Sequence, residues 1–216
     1  MEFNQFVSSW RLTVRLLYLV AALTLLPYPV LAGDISQAQE MVEQTTNQVL
    51  ETLKQNKQRL ENDKKALYGM VDAIILPHFD FRVMSRLVLG KHWKTATPDQ
   101  QKRFTEEFKT LLVRTYSTAM LDFTEQQVKY LPIRANGEDS SKALSRMEIS
   151  QPGGGRPAQM QLRMIDRDGS WMIYDVTIDG ISLVTNYRNS FSNEIVQNGV
   201  EHLIEQLADK NRNQPG

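Results

Sequence analysis

Along the first half of the chain apolar residues recur at steps of three and four, the spacing that gathers side chains on one face of an α-helix. Ile35, Ala38, Met41, Val42, Thr45, Val49, Leu50 and Leu53 form the first stripe, opened by Asp34 as N-cap with Gln37 three residues on. It runs into a charged, solvent-facing stretch from Lys54 to Lys65. Leu67, Val71, Ile74 and Ile75 predict a second, short helix that Pro77 stops. Phe79, stapled onto Met84 across an Asp80 N-cap, predicts a third with Val83, Met84, Leu87 and Val88 on one face and Gly90 at its end. Thr97-Pro98-Asp99-Gln100 has the form of a capping box with proline at the first helical position, so a fourth helix starts there. Its stripe is Phe104, Phe108, Leu111, Leu112, Thr115, Tyr116, Ala119 and Phe123. Periodicity alone does not tell a core stripe from the wall of a ligand site.

The period then changes to two. Val128 to Arg134 reads as a strand interrupted by Pro132, which suits a sheet edge, and Asn136 to Ser141 reads as a polar loop. Ala143, Ser145, Met147 and Ile149 alternate with Arg146, Glu148 and Ser150; after the turn at Gly153-Gly154-Gly155, Ala158, Met160, Leu162 and Met164 alternate with Gln159, Gln161 and Arg163. One apolar and one wet face mark an antiparallel sheet. Asp168-Gly169 turns the chain into a strand from Ser170 to Asp179, and Val184, Tyr187, Phe191, Ile195, Val196, Val200, Leu203 and Leu207 mark a last helix. Gly199 inside that helix costs about 1 kcal/mol relative to alanine and hints at close backbone packing. The pattern predicts an α+β fold, helices packed on one face of a twisted antiparallel sheet of about four strands.

At the N-terminus Arg11 and Arg15 precede an apolar run from Leu16 to Leu26, a Pro27 to Pro29 break and Val30-Leu31-Ala32. That order describes a secretory signal peptide, residues 1–32, cleaved after Ala32. An uncleaved anchor is the alternative, and Pro27 and Pro29 disfavour it. The expected remainder is one domain, 33–210, with a flexible tail, 211–216. Zero cysteines rule out disulfide staples and thiol chemistry. Basic and acidic residues balance at 25 each, and losing Arg11, Arg15 and Glu2 with the leader leaves the chain near neutral, which argues against nucleic acid as a partner.

Catalytic motifs are missing from the sequence. No phosphate loop or nucleophile elbow occurs, and His78, His92 and His202 have no metal-ligand spacing, so neither a metal nor another cofactor is expected. Asp175, on one strand face with Trp171, Ile173 and Thr177, is conceivable as a buried general base; a bond to a backbone amide or to Arg188 is the plainer reading. Met147, Met160 and Met164 share the apolar strand faces, Met172 can join them, and Met120 lies on the helix from Thr97 onward. Unbranched, polarizable methionine suits a wall that reshapes around ligands, and equally suits gap-filling in a core.

Asp80-Phe81, Leu89-Gly90-Lys91-His92-Trp93, Gln100-Gln101-Lys102-Arg103-Phe104, Phe108-Lys109-Thr110-Leu111-Leu112 and Thr115-Tyr116 form one block of motifs. Trp171, Tyr174-Asp175-Val176, Asp179-Gly180-Ile181-Ser182-Leu183-Val184, Asn186-Tyr187-Arg188 and Phe191 form another. In this order they resemble the toluene-tolerance family of periplasmic phospholipid-binding proteins, the MlaC type, over roughly Ile35 to Leu207. The resemblance implies an NTF2-like cone with an apolar cavity and a soluble, non-enzymatic periplasmic carrier of phospholipid. It also implies exchange with an outer-membrane lipoprotein-porin complex and with an inner-membrane ABC transporter bearing a substrate-binding ring, so that outer-membrane lipid asymmetry is maintained. Under it the expected pocket lining is Leu87, Phe104, Phe108, Leu111, Leu112, Met120, Met147, Met160, Leu162, Met164, Val176, Val184, Tyr187 and Phe191. Tyr187 and Arg188 are placed either near the mouth or in fold-holding hydrogen bonds. An enzyme on a similar cone and a scaffold with a filled core are the competing readings.

Overall fold

The structure is a computed structural model that describes residues 34–123, 126–137, 139–150 and 154–213. The expected signal peptide and its cleavage point lie outside the described residues. Helix α1 spans Ile35–Asn62, with Asp34 accepting a hydrogen bond from the Ser36 amide at 2.9 Å. Asp63 ends it and caps α2, Lys64–Ile74, by accepting from the Ala66 amide at 3.0 Å. The charged stretch that separates the two stripes is exposed apart from the half-buried Asn56 and from Leu60, which is buried beside Leu53, Leu67, Met70 and Val71.

Helix α3, Phe81–Leu89, starts at Asp80, whose carboxylate accepts from the Val83 amide at 2.8 Å, and stops at Gly90 with φ 57°, a conformation L side chains resist. Helix α4, Pro98–Tyr116, carries both bonds of its capping box: the Gln100 amide donates to Thr97 Oγ1 at 3.2 Å and the Thr97 amide to Gln100 Oε1 at 3.0 Å. It ends earlier than its stripe predicts, because Thr118–Phe123 winds as a 3₁₀ turn.

The sheet is an antiparallel meander in the order β1 (Gln127–Ala135), β2 (Lys142–Ser150), β3 (Ala158–Arg167), β4 (Ser170–Ile178) and β5 (Ile181–Ser182). The fifth strand, two residues long, is the one the pattern does not reveal. Pro132 falls where the β1–β2 register shifts, on an edge strand that can spare a ladder bond. A second irregularity decides which side chains face inward. Arg163 pairs with Asp175 but the next residue, Met164, pairs with Ile173, so Tyr174 is supernumerary. The bulge reverses the parity of β4: Ile173, Val176 and Ile178 face inward opposite Met164, Leu162 and Met160. Asp175 and Thr177 therefore leave the face on which simple alternation puts them with Ile173.

Only 2% exposed, Asp175 accepts from Ser182 Oγ at 2.7 Å and from the Val184 amide at 3.1 Å. Its carboxylate thus holds the start of α5, Leu183–Asn213, against β4. Arg188 is not its partner; the guanidinium Nε donates instead to the Leu87 carbonyl at 2.6 Å and ties α5 to α3. Helix α5 runs past residue 210, where a flexible tail was expected: Asn211 is 4% exposed and its amide donates to the Glu107 carbonyl at 2.9 Å. Gly199 interrupts the helix with φ 84° and ψ 170°, and no atom lies within 4 Å of where its Cβ would stand. The glycine serves backbone conformation at a kink, not close packing.

Replacing Asp175 with alanine leaves the Ser182 hydroxyl and the Val184 amide without their acceptor. The expected cost is about 1–3 kcal/mol, read as a lower urea midpoint at unchanged slope.

Candidate functional site

Small side chains let α1 approach the sheet closely at one end. Ala38 and Val42 pack on Ala143, Met164 and Trp171, and the Trp171 Nε1 donates to the Asp34 carbonyl at 3.2 Å. Further along, helix and sheet separate. The sheet side of the gap is Val128, Met147, Ile149, Met160, Leu162, Ile173, Val176 and Ile178; the helical side includes Met41, Thr45, Val49, Leu50 and Leu53 of α1, Phe81 and Met84 of α3, and Leu112 and Tyr116 of α4. Val71, Ile75, Leu76 and Phe79 wall a third side, and Ala119 and Met120 of the 3₁₀ turn a fourth.

The cavity, open to solvent at one end, measures about 320 Å³. One water needs roughly 10–15 Å³ on such a measure, and ligand pockets begin at about 300 Å³, so this is a binding-sized space and not a packing defect. Among the described residues that line it there is no aspartate, glutamate, lysine or arginine. A hydrocarbon-walled void of this kind gives water few partners and favours an apolar guest. Burial falls toward one end of the sheet: Met164 is 0% exposed, Leu162 7% and Ile178 36%, so the wall meets solvent at the end of β4.

Of the residues expected to line a pocket, the structure brings Leu112, Met120, Met147, Met160, Leu162 and Val176 to the cavity. Leu87, Phe104, Phe108, Leu111, Val184, Tyr187 and Phe191 do not reach it. They belong to a separate closed core where α3, α4 and α5 meet. Phe104 and Phe108 stack at 5.7 Å, and Tyr187 meets Phe108 edge-on at 5.2 Å. The aromatic stripe of α4 is consumed by α5, and only the C-terminal turn of α4 is left for the cavity. Met164 is also outside it, sealed where α1 closes on the sheet. Met172 is not in the wall, whereas Met41 and Met84, which the sequence pattern assigns to helix stripes and not to the pocket, are.

Neither Tyr187 nor Arg188 lines the cavity. Burial, joined by a hydrogen bond to Tyr116, pushes the Tyr187 phenol well above its usual pKa, so it stays protonated. His78 is the wall's one imidazole, and burial lowers its pKa below 6.5. Asp175, turned away from the cavity by the bulge, is absent from the lining.

Several known proteins are similar to this chain. The family model described as MlaC protein matches residues 43–209. A toluene tolerance protein of Pseudomonas putida, ttg2D, is 30% identical over 186 residues, 85% of this chain and 82% of the relative. The intermembrane phospholipid transport system binding protein MlaC of Haemophilus influenzae is 20% identical over 169 residues, 77% of this chain and 78% of its own length. A solved structure of a phospholipid-binding protein from Ralstonia solanacearum, in complex with a phospholipid, matches with a TM-score of 0.73 at 31% identity, covering 81% of this chain and 97% of that one.

Two measurements test the division between closed core and cavity wall. In lipid-free protein, Phe108→Ala is expected to cost about 3–5 kcal/mol by creating a new void, while Met160→Ala, which only enlarges an existing one, costs less than about 2 kcal/mol. For His78 the unfolded state takes up a proton first as pH falls below 6.5. Stability from the neutral imidazole is therefore complete above that value and is lost as pH drops toward the lower folded pKa. Urea midpoints measured from roughly pH 7 to pH 5 are expected to fall less in His78→Leu than in the unaltered chain.

Proposed function

Since the chain belongs to the MlaC protein family, we propose that it is a soluble periplasmic carrier that shelters the acyl tails of a phospholipid in the cavity between α1 and the sheet. The observation that carries this reading is the cavity itself, an apolar space of about 320 Å³ without an ionised carboxylate, ammonium or guanidinium among its described lining residues. Each CH₂ removed from water contributes about 0.8 kcal/mol, so a 16-carbon tail represents roughly 12 kcal/mol and two tails about twice that. Hydrocarbon held that strongly by the need to avoid water crosses an aqueous compartment only inside such a shelter. The charged headgroup stays at the rim near Ile178, where water continues to solvate it.

The mechanism is partition and hand-over. The partners are an outer-membrane lipoprotein-porin complex and an inner-membrane ABC transporter with its substrate-binding ring, and the traffic between them maintains outer-membrane lipid asymmetry. ATP is used by the transporter. Met41, Met84, Met120, Met147 and Met160 face the cavity from both helices and sheet, and their flexible thioethers let one wall accept tails of differing length and unsaturation.

Native mass spectrometry of the mature protein, followed by lipid extraction, is expected to find near-stoichiometric phospholipid. Met160→Trp and Leu162→Trp place an indole in the cavity and are expected to cut that load sharply, at about 1–3 kcal/mol of stability where the ring overfills its site. Preparations repeatedly free of lipid, or an undiminished load in both folded variants, would overturn the reading.

A further inference from the structure

The face of the sheet turned away from the cavity carries a cluster of three arginines, two of which form no ion pair among the described residues. Register puts Arg134 opposite Leu144 and Leu144 opposite Arg163, so the two arginines flank one leucine across three strands. Arg146 lies one same-face step along β2 from that leucine, between Leu131 and Gln161. Adjacent strands are about 4.8 Å apart and same-face neighbours along a strand about 6.7 Å, so three guanidinium groups share a patch on the order of 10 Å wide.

Counter-charge on this face is already committed. Glu148 pairs with Lys129 at 3.1 Å and accepts from Gln159, while Asp139 pairs with Lys142 at 2.8 Å. Asp175 is 3.9 Å from Arg163, but its oxygens are bound by Ser182 and the Val184 amide. Among the described residues no carboxylate pairs with Arg134 or Arg146, and the Arg146 Nε is shielded from solvent without any hydrogen-bond partner. Like charges gathered on one sheet face repel, and a shielded N–H without an acceptor is unfavourable. The repulsion is relieved when an anion docks.

We infer that this arginine face is a docking surface for an acidic patch on a partner protein, holding the carrier from behind while its cavity stays open for lipid exchange. The inference rests on the carrier reading above for the identity of the partners. A bilayer is the poorer occupant on two counts. Anionic membranes hold proteins through about 4–8 clustered cations, more than the three arginines gathered here. A bilayer on this face would also leave the cavity pointing away from the lipid. Guanidinium forks set on a rigid sheet suit carboxylates bidentately.

The test compares the lipid-loaded mature chain with the double variant Arg134→Glu/Arg146→Glu and the single variant Arg146→Gln. Arg163 is left in place because it borders the carboxylate that starts α5. Binding is measured to each of the two membrane complexes in lipid discs, and to empty discs of phosphatidylglycerol and phosphatidylcholine, at low and high salt. The expected result is at least about tenfold weaker binding of the double variant to one complex or both at low salt, with the gap closing at high salt, and lipid load unchanged. Arg146→Gln, which removes charge without reversing it, shows a smaller loss in the same direction and serves if the double variant does not fold. Binding of both complexes equal to that of the unaltered chain overturns the inference. So does a loss confined to the empty discs, which assigns the face to the membrane. An unaltered chain that docks through this face yet carries no lipid would sink the carrier reading while leaving the docking face standing.

Discussion

A helix laid on a twisted sheet interdigitates with it only where side chains are small enough for close approach, and in this protein that condition holds at one end. Ala38 and Val42 of α1 meet Ala143 and Met164 there, and Trp171 fastens the junction by its bond to the Asp34 carbonyl. From that point helix and sheet diverge, leaving a space that the surrounding side chains line without filling. Voids in proteins are normally unfavourable because their walls lose dispersion contacts. A void of this size, walled mostly by apolar groups, is sustained by the rest of the structure and gains those contacts when hydrocarbon enters.

That support comes from a second core with a different construction. The aromatic and aliphatic residues of α3, α4 and α5 pack as a closed helical cluster beside the sheet. Its ties are explicit: Arg188 reaches the Leu87 carbonyl, Arg103 grips Glu201 with two bonds of 2.7 Å, and Asp175 anchors the first turn of α5 to β4. The division of labour is physical. A tightly interdigitated cluster supplies stability, and the neighbouring wall can then forgo it in favour of room for a guest. Asp175 belongs to the same scaffold, its carboxylate spent on holding a helix.

Much of this was legible along the chain. The starts of α1, α3 and α4 follow from caps that bond as their residue types require, at Asp34, Asp80 and Thr97, and the alternation in β2 and β3 matches the inward and outward faces observed. Met147, Met160 and Leu162 reach the cavity because a period-two pattern assigns them correctly to the covered face. Less was legible on the helices. The stripe of α4 and the stripe of α1 are equally periodic, yet one is enclosed by α5 and the other overhangs the gap, and no local feature distinguishes them. The bulge at Tyr174 is invisible for a similar reason: nothing in Trp171 to Ile178 announces that one residue will be skipped.

Sequence alone determined the order of the elements, their caps, the two-faced sheet and the motifs that place the chain in its family, because each of these depends on neighbours only a few residues apart. Tertiary structure alone decided which apolar surface is closed core and which is cavity wall, where Asp175 points, and that three arginines from three strands gather on one sheet face, two of them without an ion pair among the described residues. Those outcomes depend on how far apart two packed layers stand and on cross-strand register, and both are set by contacts between residues far apart along the chain.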